Sequence, residues 1–83
     1  MRYEIHFKPR ALKDLRRIPK ADAARALDRL EDMRDDLFGD VKRLTNHTPE
    51  FRLRVGDYRV LFELEGRRVV VYRVVHRREA YDR

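Results

Sequence analysis

From Phe51 to Tyr81 apolar and polar residues alternate with a period of two, and glycine interrupts the pattern twice. Phe51, Leu53 and Val55 alternate with Arg52 and Arg54. Gly56-Asp57 marks a turn, and Tyr58, Val60, Phe62 and Leu64 then alternate with Arg59, Leu61, Glu63 and Glu65. Gly66 marks a second reversal, followed by the almost wholly apolar run Val69–Val75. Such alternation, rich in β-branched and aromatic residues and punctuated by glycine, predicts three strands of an antiparallel meander. Side chains two apart share a face, so Arg52 and Arg54 lie opposite Phe51, Leu53 and Val55. One face of this sheet packs and the other carries guanidinium groups.

Earlier in the chain, Tyr3, Ile5 and Phe7 alternate with Glu4 and His6, which predicts a further strand of the same sheet, paired antiparallel or parallel. His6 falls on its polar side and is assigned no role. Pro9 stands where a helix tolerates proline, at its first position, and Ala11, Leu12, Leu15 and Ile18 recur at helical spacing. Pro19 ends that helix by disfavouring α geometry at Ile18. A second helix is expected over 21–37, with an apolar stripe of Ala23, Ala26, Leu27, Leu30, Met33 and Leu37, and with Gly39 as its C-cap. Lys13, Arg16, Arg17, Lys20, Arg25 and Arg29 are interleaved with Asp14, Asp22, Asp28 and Glu31, which reads as a solvated face laced with i,i+4 pairs rather than a nucleic-acid stripe. Residues 40–50 are expected to form a loop, with Val41 and Leu44 tucked against the core. The fold class predicted is α+β, in the order β-α-α-β-β-β: an antiparallel sheet of about four strands covered on one face by a two-helix hairpin.

Eighty-three residues make one domain, spanning 1–83. A chain of that size buries only about 60% of its unfolded surface, so the core is one sheet covered on one side. Charged residues reach 43%, yet the 42% apolar fraction and the periodicity predict a folded chain. The formal charge of +6 favours an anionic partner. It is concentrated in the sheet: residues 51–83 carry nine arginines against five acids, a net +4, whereas residues 1–50 carry a net +2. With no cysteine there is no disulfide framework and no zinc–thiolate site. No apolar run is long enough for a membrane span, and MRYEIHFK has no signal-peptide core. The expectation is a cytoplasmic chain.

Motif chemistry is narrow. The chain has no Gly-rich phosphate loop, no H-E-x-x-H and no serine, and three scattered histidines make no metal site. What remains is a set of cations, Arg52, Arg54, Arg59, Arg73, Arg77 and Arg78, with His76 and Tyr81 beside them. Adjacent strands lie ~4.8 Å apart, so arginines on three strands can converge on one phosphate. Preorganised guanidiniums stabilise the charge that builds on phosphoryl oxygens in a transition state, without a metal. An RNA substrate brings its own 2′-OH as nucleophile. Arginine is a poor base, which leaves Tyr81 and His76 for proton transfer. Two plainer accounts stand beside this one. Exposed sheet faces carry charge for solubility, with Glu63 and Glu65 pairing across strands, and Tyr81 is equally a packed C-terminal aromatic.

The patterns F-R-L-R-V-G-D-Y-R-V-L-F-E-L (Phe51–Leu64) and V-V-V-Y-R-V-V-H-R-R-E-A-Y (Val69–Tyr81) resemble the toxins of the RelE/ParE superfamily. The opening Y-x-I-x-F strand, the A-L-K-D-L helix (Ala11–Leu15) and the helical hairpin extend the resemblance over nearly the full length. It implies a small basic toxin of a type II toxin–antitoxin pair. RelE-like members cleave mRNA in the ribosomal A site without metal or other cofactor, through 2′-OH attack. By resemblance, Arg59, Arg77 and Tyr81 take catalytic positions, and Arg52, Arg54, Arg73, His76 and Arg78 are expected to bind substrate. Positions 52 and 54 are arginine where well-known RelE members have lysine, which throws proton transfer onto Tyr81 or His76. The implied partners are the ribosome with mRNA and an acidic antitoxin, often in a heterotetramer. Two alternatives stay open: a ParE-like inhibitor of DNA gyrase, and a non-catalytic basic RNA-binding module.

Overall fold

The computed structural model describes residues 2–35 and 41–80. Strand β1 (Glu4–Phe7) leads into helix α1 (Pro9–Arg17) and helix α2 (Lys20–Asp32). Four strands follow: β2 (Val41–Arg43), β3 (Phe51–Val55), β4 (Tyr58–Glu65) and β5 (Arg68–His76). They form one five-stranded sheet in the order β1-β5-β4-β3-β2. The β2, β3, β4 and β5 neighbours pair antiparallel, and β1 joins β5 in parallel.

Two departures from the sequence pattern concern the sheet. A fifth strand lies in the segment expected to be a loop, because Val41–Arg43 extends along Leu53–Phe51. Three residues are too few to show a period, and the strand exists only through its partner. Second, the sheet is mixed, because of the two pairings open to the first strand β1 takes the parallel one, beside β5.

The helices form as their punctuation demands. Pro9 occupies the first turn of α1, and Ile18, ahead of Pro19, is already extended at ψ 162°. Helix α2 stops at Asp32, short of the expected Leu37. Met33 N–H and Arg34 N–H turn back to the carbonyls of Leu30 and Glu31, and the Arg34 carbonyl accepts from Tyr3 N–H, which draws the chain toward β1. Leu37 and Gly39 lie outside the described residues.

Both hairpin turns have two residues with glycine first, at φ +58° for Gly56 and +62° for Gly66. Primed turns of this kind match the right-handed twist of the flanking strands, and only glycine takes that φ without strain. The helical hairpin buries Ala11, Ala26, Leu30 and Met33 against Leu53, Val55, Val60, Phe62, Val69, Val71 and Val74. Phe62 is fully buried and stacks on Phe51, with ring centroids 5.5 Å apart. Val41 joins this core from β2.

Candidate nucleic-acid interface

The open face of the sheet is set by strand register. Arg54 stands opposite Arg59, and Arg59 opposite Val75; Arg52 stands opposite Leu61, and Leu61 opposite Arg73. Like charges directly opposite one another ordinarily destabilise a sheet, so the Arg54/Arg59 pair is a cost that packing alone does not require. Between the arginines lies an apolar floor. Leu61, Val75 and Ala80 are buried together and Leu44 packs on them from the segment after β2. The face is therefore cationic at the rim and dry in the middle.

Arg59 is 9% exposed, and its Nη1 donates to the carbonyls of Gly56 and Tyr58, both at 3.0 Å. Those bonds fold the side chain back over the β3–β4 turn. Arg77 reaches the same turn from the other side. Its backbone N–H donates to Asp57 O at 2.7 Å, and its guanidinium lies 3.9 Å from the Asp57 carboxylate, largely exposed. Arg54, Arg59 and Arg77 thus gather at one end of the sheet, around Gly56-Asp57. Arg52 is half-buried one register step further along. Arg78 is exposed in the turn that follows β5.

Two expected members of this face do not join the other arginines, and both lie at or beyond a β-bulge in β5. Leu61 pairs with Arg73 but Phe62 pairs with Val71, so Tyr72 is an extra residue in β5. Alternation runs Val69, Val71 on the helix side up to the bulge and resumes with Val74 beyond it. Arg73, on the bulge, reaches across the edge of β5 to α1. Its Nε donates to Asp14 Oδ2 at 2.7 Å and its Nη2 to Oδ1 at 3.2 Å. The Asp14 hydrogen bonds hold the Arg73 guanidinium above its ordinary pKa, against the opposing effect of burial. Arg73 does not converge with the other arginines.

His76 also departs from the expectation. It pairs with Tyr58 and packs edge-on against that ring at 5.5 Å, whereas Val75 is the residue aligned with Arg59. With Asp14, Arg17, Tyr58, Arg73 and Glu79 it lines a polar cleft of about 330 Å³ under the end of α1. Its Nδ1 accepts from Arg78 N–H at 3.2 Å, which makes it a brace for the C-terminal turn. Tyr81 follows Ala80 and lies outside the described residues.

Asp14 is the functional-looking residue that alternation and charge counting missed. Its only sequence signal was its place among Ala11, Leu15 and Ile18 on the apolar side of α1.

A five-stranded sheet under a short helical hairpin, with cations gathered at one end of its open face, defines a small basic α+β toxin fold. The chain belongs to the ParE toxin family of type II toxin–antitoxin systems, whose family model matches residues 5–81. It is 30% identical to Toxin RelE3 of Methanocaldococcus jannaschii over 84 residues, covering 95% of this chain and 96% of the relative. Among solved structures it resembles a chain of the RelB–RelE antitoxin–toxin complex from Methanococcus jannaschii, with a TM-score of 0.77 and 28% identity over 93% of this chain and 95% of that one. It also resembles a chain of the RelBE2 complex of Mycobacterium tuberculosis, with a TM-score of 0.78 and 26% identity over 92% and 99% of the two chains. The RelE–RelB complex of Pyrococcus horikoshii OT3 shares the fold, at a TM-score of 0.74 and 23% identity over 96% and 100%. The family model is named for ParE and the relatives for RelE, which together place the chain in the RelE/ParE superfamily.

Proposed function

We propose that this toxin is a ribosome-dependent mRNA endonuclease, acting in the cytoplasm and held inactive by an acidic antitoxin. The observation that carries the reading is the gathering of Arg54, Arg59 and Arg77 around the Gly56-Asp57 turn, beside a dry floor of Leu61 and Val75. Guanidiniums beside an apolar surface act through a lower dielectric than those on a solvated face, so they stabilise developing charge more strongly.

The chemistry this face suits is phosphodiester cleavage by the substrate's own 2′-OH. The 2′-oxygen forms a bond to phosphorus, and the bond from phosphorus to the 5′-oxygen breaks. One proton leaves the 2′-OH and one is delivered to the departing 5′-oxygen, giving a 2′,3′-cyclic phosphate and a free 5′-OH. Arg54 and Arg77 are disposed to hold the non-bridging oxygens, and Arg59, fixed on two backbone carbonyls, to hold its position without reorganising. Tyr81 is the proposed proton-transfer group, because His76 is turned to the helix side of the sheet. An acidic antitoxin segment would neutralise the same cations.

The test is cleavage of mRNA on programmed ribosomes, with gyrase supercoiling assayed on the same preparation. Cutting within the A-site codon, abolished in Arg77→Ala, is the expected result. Gyrase inhibition with intact mRNA overturns the nuclease reading in favour of the ParE type of activity.

A further inference from the structure

The interleaved charges of α1 are not interleaved in space. Between Lys8 and Lys20 the sequence supplies one acid, Asp14, and that carboxylate is 7% exposed, turned to β5 and occupied by Arg73. Lys8, Arg10, Lys13, Arg16, Arg17 and Lys20 are all exposed. Helix α2 differs, with Asp28, Glu31 and Asp32 exposed among Arg25 and Arg29. The solvated face of mixed charge expected for both helices is therefore found on α2 and overturned on α1. Arg10, Lys13 and Arg16 follow each other at three-residue steps, a row about 9 Å long at the helical rise. The first turn of α1 carries no acid, so the positive end of its dipole adds to the row.

This row borders a groove of about 880 Å³. Strand β1 stops at Phe7, so the edge of β5 beyond Val71 has no strand beside it. Tyr72 lies there because the bulge makes it the extra residue, and the Lys8 ammonium sits 5.2 Å from its ring centroid. Leu12, 42% exposed, lines the α1 wall, and Pro49 lines the opposite one. Pro49 belongs to the segment whose Leu44 covers the open face and whose Glu50 N–H bonds Glu63. The groove therefore lies along the free edge of β5, between Pro49 and the cations of α1, and among the described residues no acid lines it.

We propose that this groove and the acid-free face of α1 bind the phosphodiester backbone of single-stranded RNA, as a second contact beside the sheet. The inference rests on the RNA reading above. A flexible polyanion matches a row of long cationic side chains that no protein carboxylate occupies. Tyr72, with Leu12 and Pro49 lining the same groove, offers a base a stacking surface that is tolerant of sequence.

The experiment is binding of a fluorescein-labelled 12-nucleotide uridine–adenosine RNA to the antitoxin-free toxin, as a function of salt. Parent, Lys13→Ala/Arg16→Ala and Arg67→Ala/Arg68→Ala are compared. The last pair removes the same net charge from the β4–β5 turn and the first residue of β5, both exposed and at the far end of that strand. Loss of two phosphate contacts lowers the slope of log affinity against log salt by about 1.4, and weakens binding roughly ten- to thirty-fold at 0.1 M salt. That result in the α1 variant alone supports the groove. Equal effects in both double variants, or none in the α1 variant, overturn it. So does a parent that fails to bind the RNA at low salt, or an α1 variant impaired only in binding an acidic antitoxin peptide. Ribosome cleavage is measured separately on the same proteins, so a groove that fails leaves the nuclease reading to stand or fall by its own assay.

Discussion

Asp14 Oδ2 accepts one hydrogen bond from Arg73 Nε at 2.7 Å and another from Val74 N–H at 2.9 Å. A single carboxylate on α1 thereby takes over where β1 leaves off. Just past the end of β1, Lys8 N–H donates to Val71 O, and further along β5 Asp14 satisfies the backbone donor of Val74. The helix is fastened to the sheet at the bulge, which is also where Arg73 is drawn away from the open face.

Asp14→Ala leaves a buried N–H and a partly buried guanidinium unsatisfied. We expect a loss of about 2–4 kcal/mol, the range for broken charged hydrogen bonds with one partner still partly solvated. Urea denaturation of the antitoxin-free toxin measures it. A change below about 0.5 kcal/mol would show that α1 is held by packing alone.

The same pair makes a pH prediction. A base whose folded pKa is raised contributes stability that is fully present below its unfolded pKa and is lost only as pH rises through the folded one. Arg73 is raised from an already high value, so the Asp14 contact contributes constant stability from neutral pH to pH 10. In Arg73→Lys, with a cation of reference pKa ~10.4 and no bidentate fork, stability should start lower and begin to fall only as pH rises past that value. Thermal midpoints from pH 7 to about 11.5 separate the two curves.

Arg59 and Arg77 differ in what they do for the fold. Arg59→Ala removes a buried guanidinium from two carbonyls and should cost about 1.5–3 kcal/mol as well as activity. Arg77→Ala removes only a long, exposed contact with Asp57, so stability should stay within about 1 kcal/mol. If Arg77 holds phosphoryl oxygens in the transition state, the cleavage rate on ribosomes falls about 10²–10³-fold. An Arg77→Ala protein that cuts at the parental rate removes this residue from the site.

His76→Phe keeps an aromatic edge for Tyr58 and deletes the acceptor of Arg78 N–H. The expected outcome is faster hydrogen exchange at the Arg78 and Glu79 amides with the β5 core amides unchanged, and a global cost near 1 kcal/mol. Unchanged exchange at Arg78 would mean that the turn is held by Arg77 N–H and Ala80 instead.

Phe62→Ala opens a cavity in a fully buried position and removes the stack on Phe51. The cost should be about 3–5 kcal/mol, a large part of the 5–15 kcal/mol typical of a domain. Near-ultraviolet circular dichroism at 25 °C would show the loss of fixed packing.

Much of the fold was legible because local signals are short-range. Glycine at positive φ set both hairpin turns, proline bounded α1, and alternation set which residues of β3 and β4 face the helices. The strand Val41–Arg43 was not legible, because an edge strand of three residues is defined by its partner's free backbone rather than by a period of its own. The early end of α2 at Asp32 was likewise decided by the Tyr3–Arg34 bond between distant segments. For the candidate site, Arg52, Arg54 and Arg59 could be put on one face by counting. Arg73 and His76 could not, since one inserted residue in β5 resets the phase of everything after it.

The composition of each face on β3 and β4 and the two hairpins follow from backbone geometry repeating over neighbours, and the surplus of positive charge follows from the count of ionisable residues. Tertiary structure alone decided where that charge is available. It turned Asp14 inward to meet Arg73, folded Arg59 onto its own turn, and left α1 with an outer face that carries cations and no acid. A charge count along the chain weighs every ionisable residue equally. Burial and pairing remove some of them from the surface, and only contacts between residues as far apart as 14 and 73 say which.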